Sequence, residues 1–212
     1  DTLFPYTTLF RAIDVVVEEF GELFERDVRN VWIDDDNMAV DCKRSIALFD
    51  KIAGVNVGRR TGLYVSAWGN VTDEFFRSAA NAGVRVVSIG VESGSDSVLA
   101  YFGKNANVGT MKKAIRSADK YGIFVVANII IGAPCESDID IALTRALLED
   151  EPVDSVNIKI LSYIRGSKLW ERAVAAGTLD SEAEVVFADG EKGTSNRSLE
   201  VLKKQQLAME VW

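Results

Sequence analysis

Residues 124–131 read FVVANIII and lead directly into a turn that contains Gly132 and Pro134. An apolar run of this length, bounded by turn residues, is typical of a β-strand that is buried on both faces. Strands of this kind belong to parallel sheets, because the helices that connect parallel strands cover both sides of the sheet. This stretch therefore predicts an α/β fold.

Helical and strand patterns alternate on both sides of that run. Apolar spacing predicts strands at 28–33, 63–67, 85–91, 124–131 and 155–161. Capping residues and glycine stops predict helices over 13–25 and 41–53, between Thr72 and Gly83, around 111–118, from Ser137 to about 149, and from Ser167 to Gly177. This succession of βα units predicts an open, partial parallel βα barrel of about five strands with outer helices. Residues 178–197 are expected to be irregular, before a final helix over 199–212.

The composition indicates one domain. The 212 residues are 48% hydrophobic and 26% charged, which suffices for a single core. No apolar run approaches the roughly 18 to 20 residues that cross a bilayer, so we expect a cytoplasmic protein with no membrane partner. The net charge of -8 repels phosphate backbones, so we expect no binding to free nucleic acid.

The reactive residue types exclude several kinds of site. The chain has two cysteines, Cys42 and Cys135, and no histidine. A Cys/His zinc site, a Ser-His-Asp triad and a Cys-His dyad all need residues that this sequence does not contain. Any chemistry must therefore use carboxylates, backbone groups or a bound cofactor.

Polar motifs follow three of the predicted strands. They are DDDN at 34–37, GVESGS at 90–95 and GAPCE at 132–136. Because the carboxyl ends of parallel strands meet at one rim of a barrel, we expect these motifs to converge on one ligand site. Each motif alone is ordinary cap or turn chemistry, whereas the three in this order are more specific.

The order DDDN, GVESGS, a lysine at 104 and IIIGAPCE resembles the radical S-adenosylmethionine (SAM) superfamily. The closest branch is the one that often carries a cobalamin-binding domain or resembles methylthiotransferases. The resemblance covers residues 12–177. It implies an enzyme in which a [4Fe–4S] cluster reductively cleaves SAM to a 5′-deoxyadenosyl radical, which then acts on a substrate that the sequence does not identify. It also implies an electron donor such as a flavodoxin or ferredoxin, and it allows cobalamin as a further cofactor in an upstream domain.

The resemblance also implies which residues contact SAM. The acidic turn faces the methionine amino group, because carboxylates accept charge-assisted hydrogen bonds from an ammonium. The Glu-Ser pair after the third strand contacts the ribose or the methionine, and the end of the fourth strand flanks the adenine. Lys104 matches a family lysine, although a solvated surface lysine is an equal alternative. The residues implied to bind SAM are Asp34, Asp35, Asp36, Glu92, Ser93, Ile131 and Gly132.

The sequence departs from the family in three places. The three-cysteine CxxxCxxC loop that holds the cluster does not occur in this chain, so no metal ligand is assigned. Cys135 stands where the family usually has glycine, and residues 165–167 stand where it has a Pro-Gly-Thr turn. The substrate side of the barrel is therefore less securely assigned, and no catalytic residue is named.

The first residues do not resemble the family. Residues 2–11 read TLFPYTTLFR, which resembles the translated frame of a sequencing adapter. We therefore expect residues 1–11 to be foreign, residues 12–177 to be a barrel core without its first strand and cluster loop, and residues 178–212 to be an extension. On this interpretation the chain is a truncated fragment that is inactive by itself. Residues 4–9, which are β-prone, could occupy the empty position of the first strand.

Two other hypotheses remain open at this point. The chain could be a radical-SAM-like barrel that acts as a non-catalytic interaction domain. It could instead be an unrelated α/β-barrel lyase or isomerase that uses Asp34, Glu92 and Glu136 as acid–base groups. A closed barrel of eight strands favours the lyase or isomerase, and an open barrel favours the SAM family.

Overall fold

A computed structural model describes residues 11–58, 61–69, 71–104 and 106–210. Its main feature is a curled sheet of five parallel strands in the order β1-β2-β3-β4-β5. The strands are β1 (Asn30–Trp32), β2 (Gly62–Trp68), β3 (Val84–Glu92), β4 (Phe124–Ile131) and β5 (Ser155–Ile160). The prediction of an open, partial βα barrel is confirmed. The predicted first strand at 4–9 lies outside the described residues.

Helices connect the strands and follow them. They are α1 (Ile13–Glu25), α2 (Cys42–Val55), α3 (Asp73–Ala82), α4 (Asp96–Tyr101), α5 (Val108–Lys120), α6 (Asp138–Asp150), α7 (Lys168–Ala175) and α8 (Leu199–Glu210). The predicted end of the last helix, at 211–212, lies outside the described residues. In the part of the chain that the structure describes, no helix combines the length and apolar character needed to span a membrane.

Local sequence signals explain where the helices begin and end. Thr72, Ser137 and Ser167 accept hydrogen bonds from backbone N–H groups in the first turns of α3, α6 and α7, as predicted. Ser137 and Asp140 complete a capping box. Helix α3 stops at Gly83, whose φ of 102° is a left-handed conformation that favours glycine.

One face of the sheet forms the core. Val65 on β2, Ile89 on β3 and Val125 on β4 are buried on this face, in one cluster with Phe75 of α3 and Ile115 of α5. This outer face of the sheet and its helices supply most of the buried apolar area, which is the main source of folding free energy.

The other face of the sheet is open, which corrects the prediction from residues 124–131. Burial alternates along β4. Val125 and Ala127, which face the outer helices, are buried, whereas Phe124 is 44% exposed and Asn128 is partly exposed. Only one face of this strand is packed, because the concave side of the curled sheet faces a cavity. Apolar residues on both faces made the run appear continuous.

Four elements differ from the predictions. Helix α4 has six residues, too few to display helical periodicity. The region predicted as irregular contains β7 (Val185–Phe187), which pairs antiparallel with β6 (Ser162–Ile164). Strand β1 has only three residues where 28–33 was predicted, because its pairing with β2 is limited to three positions.

Helix α8 packs beside the last strand of the sheet. The side-chain amide of Gln206 donates a hydrogen bond to the carbonyl oxygen of Ile158 on β5, at 2.7 Å. Leu202 and Met209 of α8 are buried in the main core. The C-terminal extension is therefore part of the same folded unit as the sheet.

Candidate functional site

The concave face of the sheet encloses a cavity of about 630 Å³, which we call the cup. Side chains in a strand alternate between faces, so every second residue of β2 to β5 points into it. The polar and aromatic residues of its lining are Trp32, Asp36, Tyr64, Ser66, Trp68, Ser88, Glu92, Asn128, Asn157 and Lys159. The packed outer face carries apolar residues at the intervening positions, so the polar residues are concentrated on the face that a ligand can reach.

A row of hydrogen-bonded polar side chains crosses the floor of the cup. Asn128 Nδ2 on β4 donates to Ser88 Oγ on β3 at 2.7 Å, and Asn157 Nδ2 on β5 donates to Asn128 Oδ1 at 3.0 Å. Hydroxyl and amide groups both donate and accept hydrogen bonds. The row can therefore bind ligand groups of either kind.

Glu92 provides a carboxylate at the carboxyl end of β3. It is 8% exposed, and its φ of 64° is a left-handed conformation that is rare for a residue with a side chain. Lys104 Nζ lies 2.7 Å from Glu92 Oε1 and 4.1 Å from the centroid of the Trp68 ring. The side chain of Lys104 is only 16% exposed, so it is an ion-pair partner at the cup and not a solvated surface lysine.

Gly90 leaves room for that carboxylate. A Cβ atom at this position would lie 2.9 Å from Glu92 Oε1, which is closer than real Cβ contacts. The glycine of the GVESGS motif thus has a steric role within the cup.

The acidic turn lies beside the cup, and only part of it reaches inside. All three aspartates are exposed, and Asp36 alone among them lines the cup. Asp34, Asp35 and Asp36 also line a neighbouring cavity of about 840 Å³ next to α1 and α2. Asn37 Oδ1 accepts hydrogen bonds from the backbone N–H groups of Ala39 and Trp68, both at 3.0 Å, which attaches the turn to β2.

Besides Asp34 and Asp35, three more residues that the resemblance assigned to SAM do not line the cup. Ser93 is fully buried, and its hydroxyl lies 3.3 Å from Thr144 Oγ1 of α6. Ile131 is fully buried in the core, opposite to Ile130, which does line the cup. Gly132 faces the other way, since a Cβ there would meet Leu202 Cδ1 of α8 at 3.0 Å. The structure therefore brings Asp36 and Glu92 together and gives these three residues packing positions.

Glu136 belongs to the loop after β4, outside the cup. It is 1% exposed, and its Oε2 accepts a hydrogen bond from the Gly132 N–H at 2.7 Å. Burial raises the pKa of Glu136 to about 7, against the opposing effects of that hydrogen bond and of Arg197. The carboxylates proposed for a lyase or isomerase are thus not gathered in one site.

The two cysteines lie on different elements. Cys42 begins α2, and its thiol contacts the carbonyl oxygen of Ala39 at 3.5 Å, while Cys135 is exposed in the loop after β4. Burial raises the pKa of both thiols, which disfavours the thiolate form that binds metals. Within the described ranges no group of three His, Cys, Asp or Glu could hold a metal ion. A [4Fe–4S] cluster held by three thiolates does not fit these residues.

Comparison with protein families and sequences gives a consistent result. The family model described as the Radical SAM superfamily matches residues 5–148. An uncharacterized methyltransferase of Pyrococcus horikoshii is 25% identical over 171 residues, which are 79% of this chain and 37% of the relative. A putative methylthiotransferase of Methanocaldococcus jannaschii is 30% identical over 101 residues, 48% of this chain and 22% of the relative. The chain thus spans well under half the length of these relatives.

Solved structures share the fold. The radical SAM methyltransferase TsrM from Kitasatospora setae, with tryptophan substrate and a SAM analog bound, has a TM-score of 0.66 at 16% identity, covering 71% of this chain and 30% of that one. The Elp3 protein of Methanocaldococcus infernus has a TM-score of 0.61 at 16% identity, covering 89% and 48%. At this level of identity the likeness establishes the fold alone.

Proposed function

Because the chain belongs to the radical SAM superfamily, whose model matches residues 5–148, we propose that the cup binds SAM as part of a radical SAM enzyme. One observation carries this proposal. The concave face of the sheet combines a carboxylate, a row of amides and hydroxyls, and aromatic rings in one cavity of about 630 Å³. Cavities of this size bind small ligands and cofactors.

The chemistry of the lining suits each part of SAM. Glu92 and Asp36 can accept hydrogen bonds from the ammonium or the ribose hydroxyls, since charge-assisted hydrogen bonds are strong. The row of Ser88, Asn128 and Asn157 can bind polar edges of the cofactor. The aromatic rings of Trp32 and Tyr64, which also line the cup, can attract a cationic group such as the sulfonium. When bound, SAM supplies the adenosyl group from which the family's radical is formed.

Lys104 has a positioning role in this proposal. Its ion pair balances the charge of the Glu92 carboxylate, which would otherwise be costly to hold because this residue is only 8% exposed. The pair also fixes the direction of the carboxylate within the cup. Glu92 is thereby oriented before a ligand arrives, which lowers the entropy cost of binding.

The described residues offer no group of three metal ligands and the sequence contains two cysteines, so we assign SAM binding and no electron-transfer step to this chain. For the whole protein we propose reductive cleavage of SAM with an electron donor such as a flavodoxin or ferredoxin, because the family resemblance implies them. We propose the cytoplasm as its location, because no apolar run in the given sequence is long enough to cross a bilayer. The relatives described as a methyltransferase and a methylthiotransferase favour transfer of a one-carbon group as the outcome. Cobalamin is a further cofactor of the proposal, as in the solved TsrM structure described with cobalamin and a [4Fe–4S] cluster bound.

The proposal is tested by measuring SAM binding to this chain by calorimetry. We expect Glu92→Gln to weaken binding at least about tenfold, because a hydrogen bond to a charged group is lost. Glu74→Gln, which alters an exposed carboxylate on α3 that pairs with Arg77, is the matched control and should leave the affinity unchanged. Absence of SAM binding to the unaltered chain, or equal affinity of the Glu92 variant, would contradict the proposal.

A further inference from the structure

A second cavity adjoins the cup, between β5, the β6–β7 hairpin and α8. We call it the groove, and it has a volume of about 710 Å³. We propose that the groove binds the substrate and that this substrate is a small organic carboxylate with an apolar body. This inference rests on the proposed SAM site, because it takes the groove as the place next to the cofactor.

The walls of the groove are mostly apolar. Its apolar residues are Ile130, Ile160, Leu161, Ile164, Leu169, Phe187 and Leu199. Two of them are strongly exposed, Ile164 at 55% and Phe187 at 53%, and they lie on the two strands of the hairpin. Burying such surface against the apolar body of a ligand is favourable.

The charge in the groove is positive, unlike the charge of the chain as a whole. Lys159 of β5 and Lys203 of α8 line it, and none of the described residues that line it is acidic. Within the part of the chain that the structure describes, neither lysine forms an ion pair. The chain has a net charge of -8, so two lysines of this kind on one apolar cavity complement an anionic ligand.

The groove and the cup share a wall. Ile130 and Lys159 line both cavities, and Lys159 lies on the same strand and face as Asn157, the last residue of the polar row. A carboxylate bound at Lys159 would therefore lie at the boundary with the cofactor site. The apolar body of the same ligand would extend along the hairpin toward α8.

The volume favours a small molecule over a protein segment. Small-molecule sites commonly enclose a few hundred to about 1,000 Å³ with few polar groups among apolar walls. The groove has this size and this lining. Recognition would then combine apolar contact along the walls with charge attraction at the two lysines.

The test compares two probes of equal shape. Naphthalene-2-carboxylate carries the proposed charge and apolar body, and naphthalene-2-carboxamide is its neutral counterpart. Binding to the whole chain is measured by calorimetry without SAM, and the bound position is mapped by amide chemical shifts. We expect the carboxylate to bind at least about fivefold more tightly than the carboxamide, with shifts concentrated on β5, the hairpin and α8.

Lysine variants distinguish binding in the groove from a general attraction of the carboxylate probe to surface charge. Lys203→Met and Lys159→Met should each weaken carboxylate binding about three- to fivefold and leave carboxamide binding unchanged. Lys204→Met is the matched control, because Lys204 is the adjacent residue of α8, pairs with Glu200 and does not line the groove. The Lys204→Met variant loses the same charge, and it should bind the carboxylate probe with the same affinity as the unaltered chain.

Three outcomes would overturn the inference: equal affinity for the two probes, no binding of either probe at millimolar concentration, or equal weakening by Lys204→Met and Lys203→Met. The SAM titration of the same samples keeps the two proposals apart. Probe binding that follows the lysines while SAM fails to bind contradicts the SAM site alone. SAM binding without the probe pattern contradicts the groove alone.

Discussion

At the scale of single residues, the geometry of the cup depends on the relation between Gly90 and Glu92. The glycine places no atom where the carboxylate oxygen lies, and the backbone of Glu92 adopts a left-handed conformation to direct its side chain inward. Such conformations cost of order 1 to 3 kcal/mol and persist where the surrounding structure enforces them. This cost is consistent with a functional position for Glu92.

We expect Gly90→Ala to reduce SAM affinity several-fold with little change in stability. The added Cβ would lie 2.9 Å from Glu92 Oε1, and the end of a flexible side chain can move away at small cost to folding. The carboxylate would then be misdirected. Calorimetry with SAM and urea denaturation measure the two effects.

Gly21→Ala is the control for that variant, because a Cβ at this position in α1 meets nothing within 4 Å. It should raise stability by about 0.5 to 1 kcal/mol, as alanine does in helix interiors, and leave SAM binding unchanged. A Gly90→Ala protein with full SAM affinity would remove the steric role that we assign to Gly90.

The sequence analysis identified some of the residues that line the cup. The alternation of side chains along strands explains why it missed others. Asp36 and Glu92, from the turns after β1 and β3, line the same cavity because strand ends meet at one rim, and their contact with SAM stays a prediction. Ile131 was chosen by its place in a motif, whereas Ile130 lines the cup. A residue in a strand and its neighbour face opposite sides, so a shift by one position exchanges cavity for core. Asn128 and Asn157 could have been found as the polar residues that interrupt apolar strands.

At the scale of elements, the sequence predicted best where local signals were strong. Helix starts at Thr72, Ser137 and Ser167 follow from side-chain caps, which require no knowledge of the tertiary fold. The β6–β7 hairpin was missed because its strands have three residues each and are 20 residues apart in sequence. Its formation depends on pairing across the fold, which a short apolar run does not reveal.

Asp140 connects two elements and provides a test at this scale. Its carboxylate accepts hydrogen bonds from Ser137 in the capping box and from Ser95 and Ser97 near the start of α4. These hydrogen bonds, from Ser137 first, lower the pKa of Asp140 to about 2. Loss of the carboxylate should therefore affect α4 and α6 together.

We expect Ser137→Ala to lower the free energy of unfolding by about 1 kcal/mol, the usual cost of losing a cap. Asp140→Ala should cost about 2 kcal/mol, because it removes the contacts to α4 as well. Urea denaturation at neutral pH gives both values. If Asp140→Ala costs no more than Ser137→Ala, the carboxylate does not couple the two helices.

At the scale of the whole molecule, the C-terminal extension is attached to the end of β4. Arg197 donates to the carbonyl oxygen of Glu136 at 3.0 Å and pairs with Asp138 at 2.7 Å, and Asn196 donates to the same carbonyl at 2.6 Å. The buried carboxyl group of Glu136 lies at this junction. Arg197 Nη1 also lies 3.9 Å from Glu136 Oε2, so the charge of this carboxyl group affects one contact between the barrel and its extension.

The raised pKa of Glu136 predicts a dependence of stability on pH. The folded-state pKa is about 7, whereas the ordinary pKa of a glutamate, which applies to the unfolded chain, is 4.5, so the carboxyl group favours the folded state fully below pH 4.5. This contribution is lost as the pH rises through 7, where the buried group must ionise. From pH 5 to 8, the free energy of unfolding should fall by up to about 3 kcal/mol relative to a variant without the group.

Glu136→Gln is that variant, and chemical denaturation at several pH values is the measurement. Asp73 and Asp140 do not disturb the comparison, because their pKa values are lowered to about 2 and they titrate at lower pH. Parallel stability curves for the two proteins between pH 5 and 8 would rule out a buried, neutral Glu136.

The contact of Gln206 with β5 limits how copies of this protein can associate through the edges of their sheets. The exposed edge of a β-sheet is a template to which strands of other molecules can add, and filaments grow by this route. On β5 that route is obstructed, because the glutamine amide occupies the Ile158 carbonyl and α8 lies along the strand. Strand addition to this five-stranded sheet would therefore have to occur at its β1 end, so the helix acts as a terminator of growth in one direction.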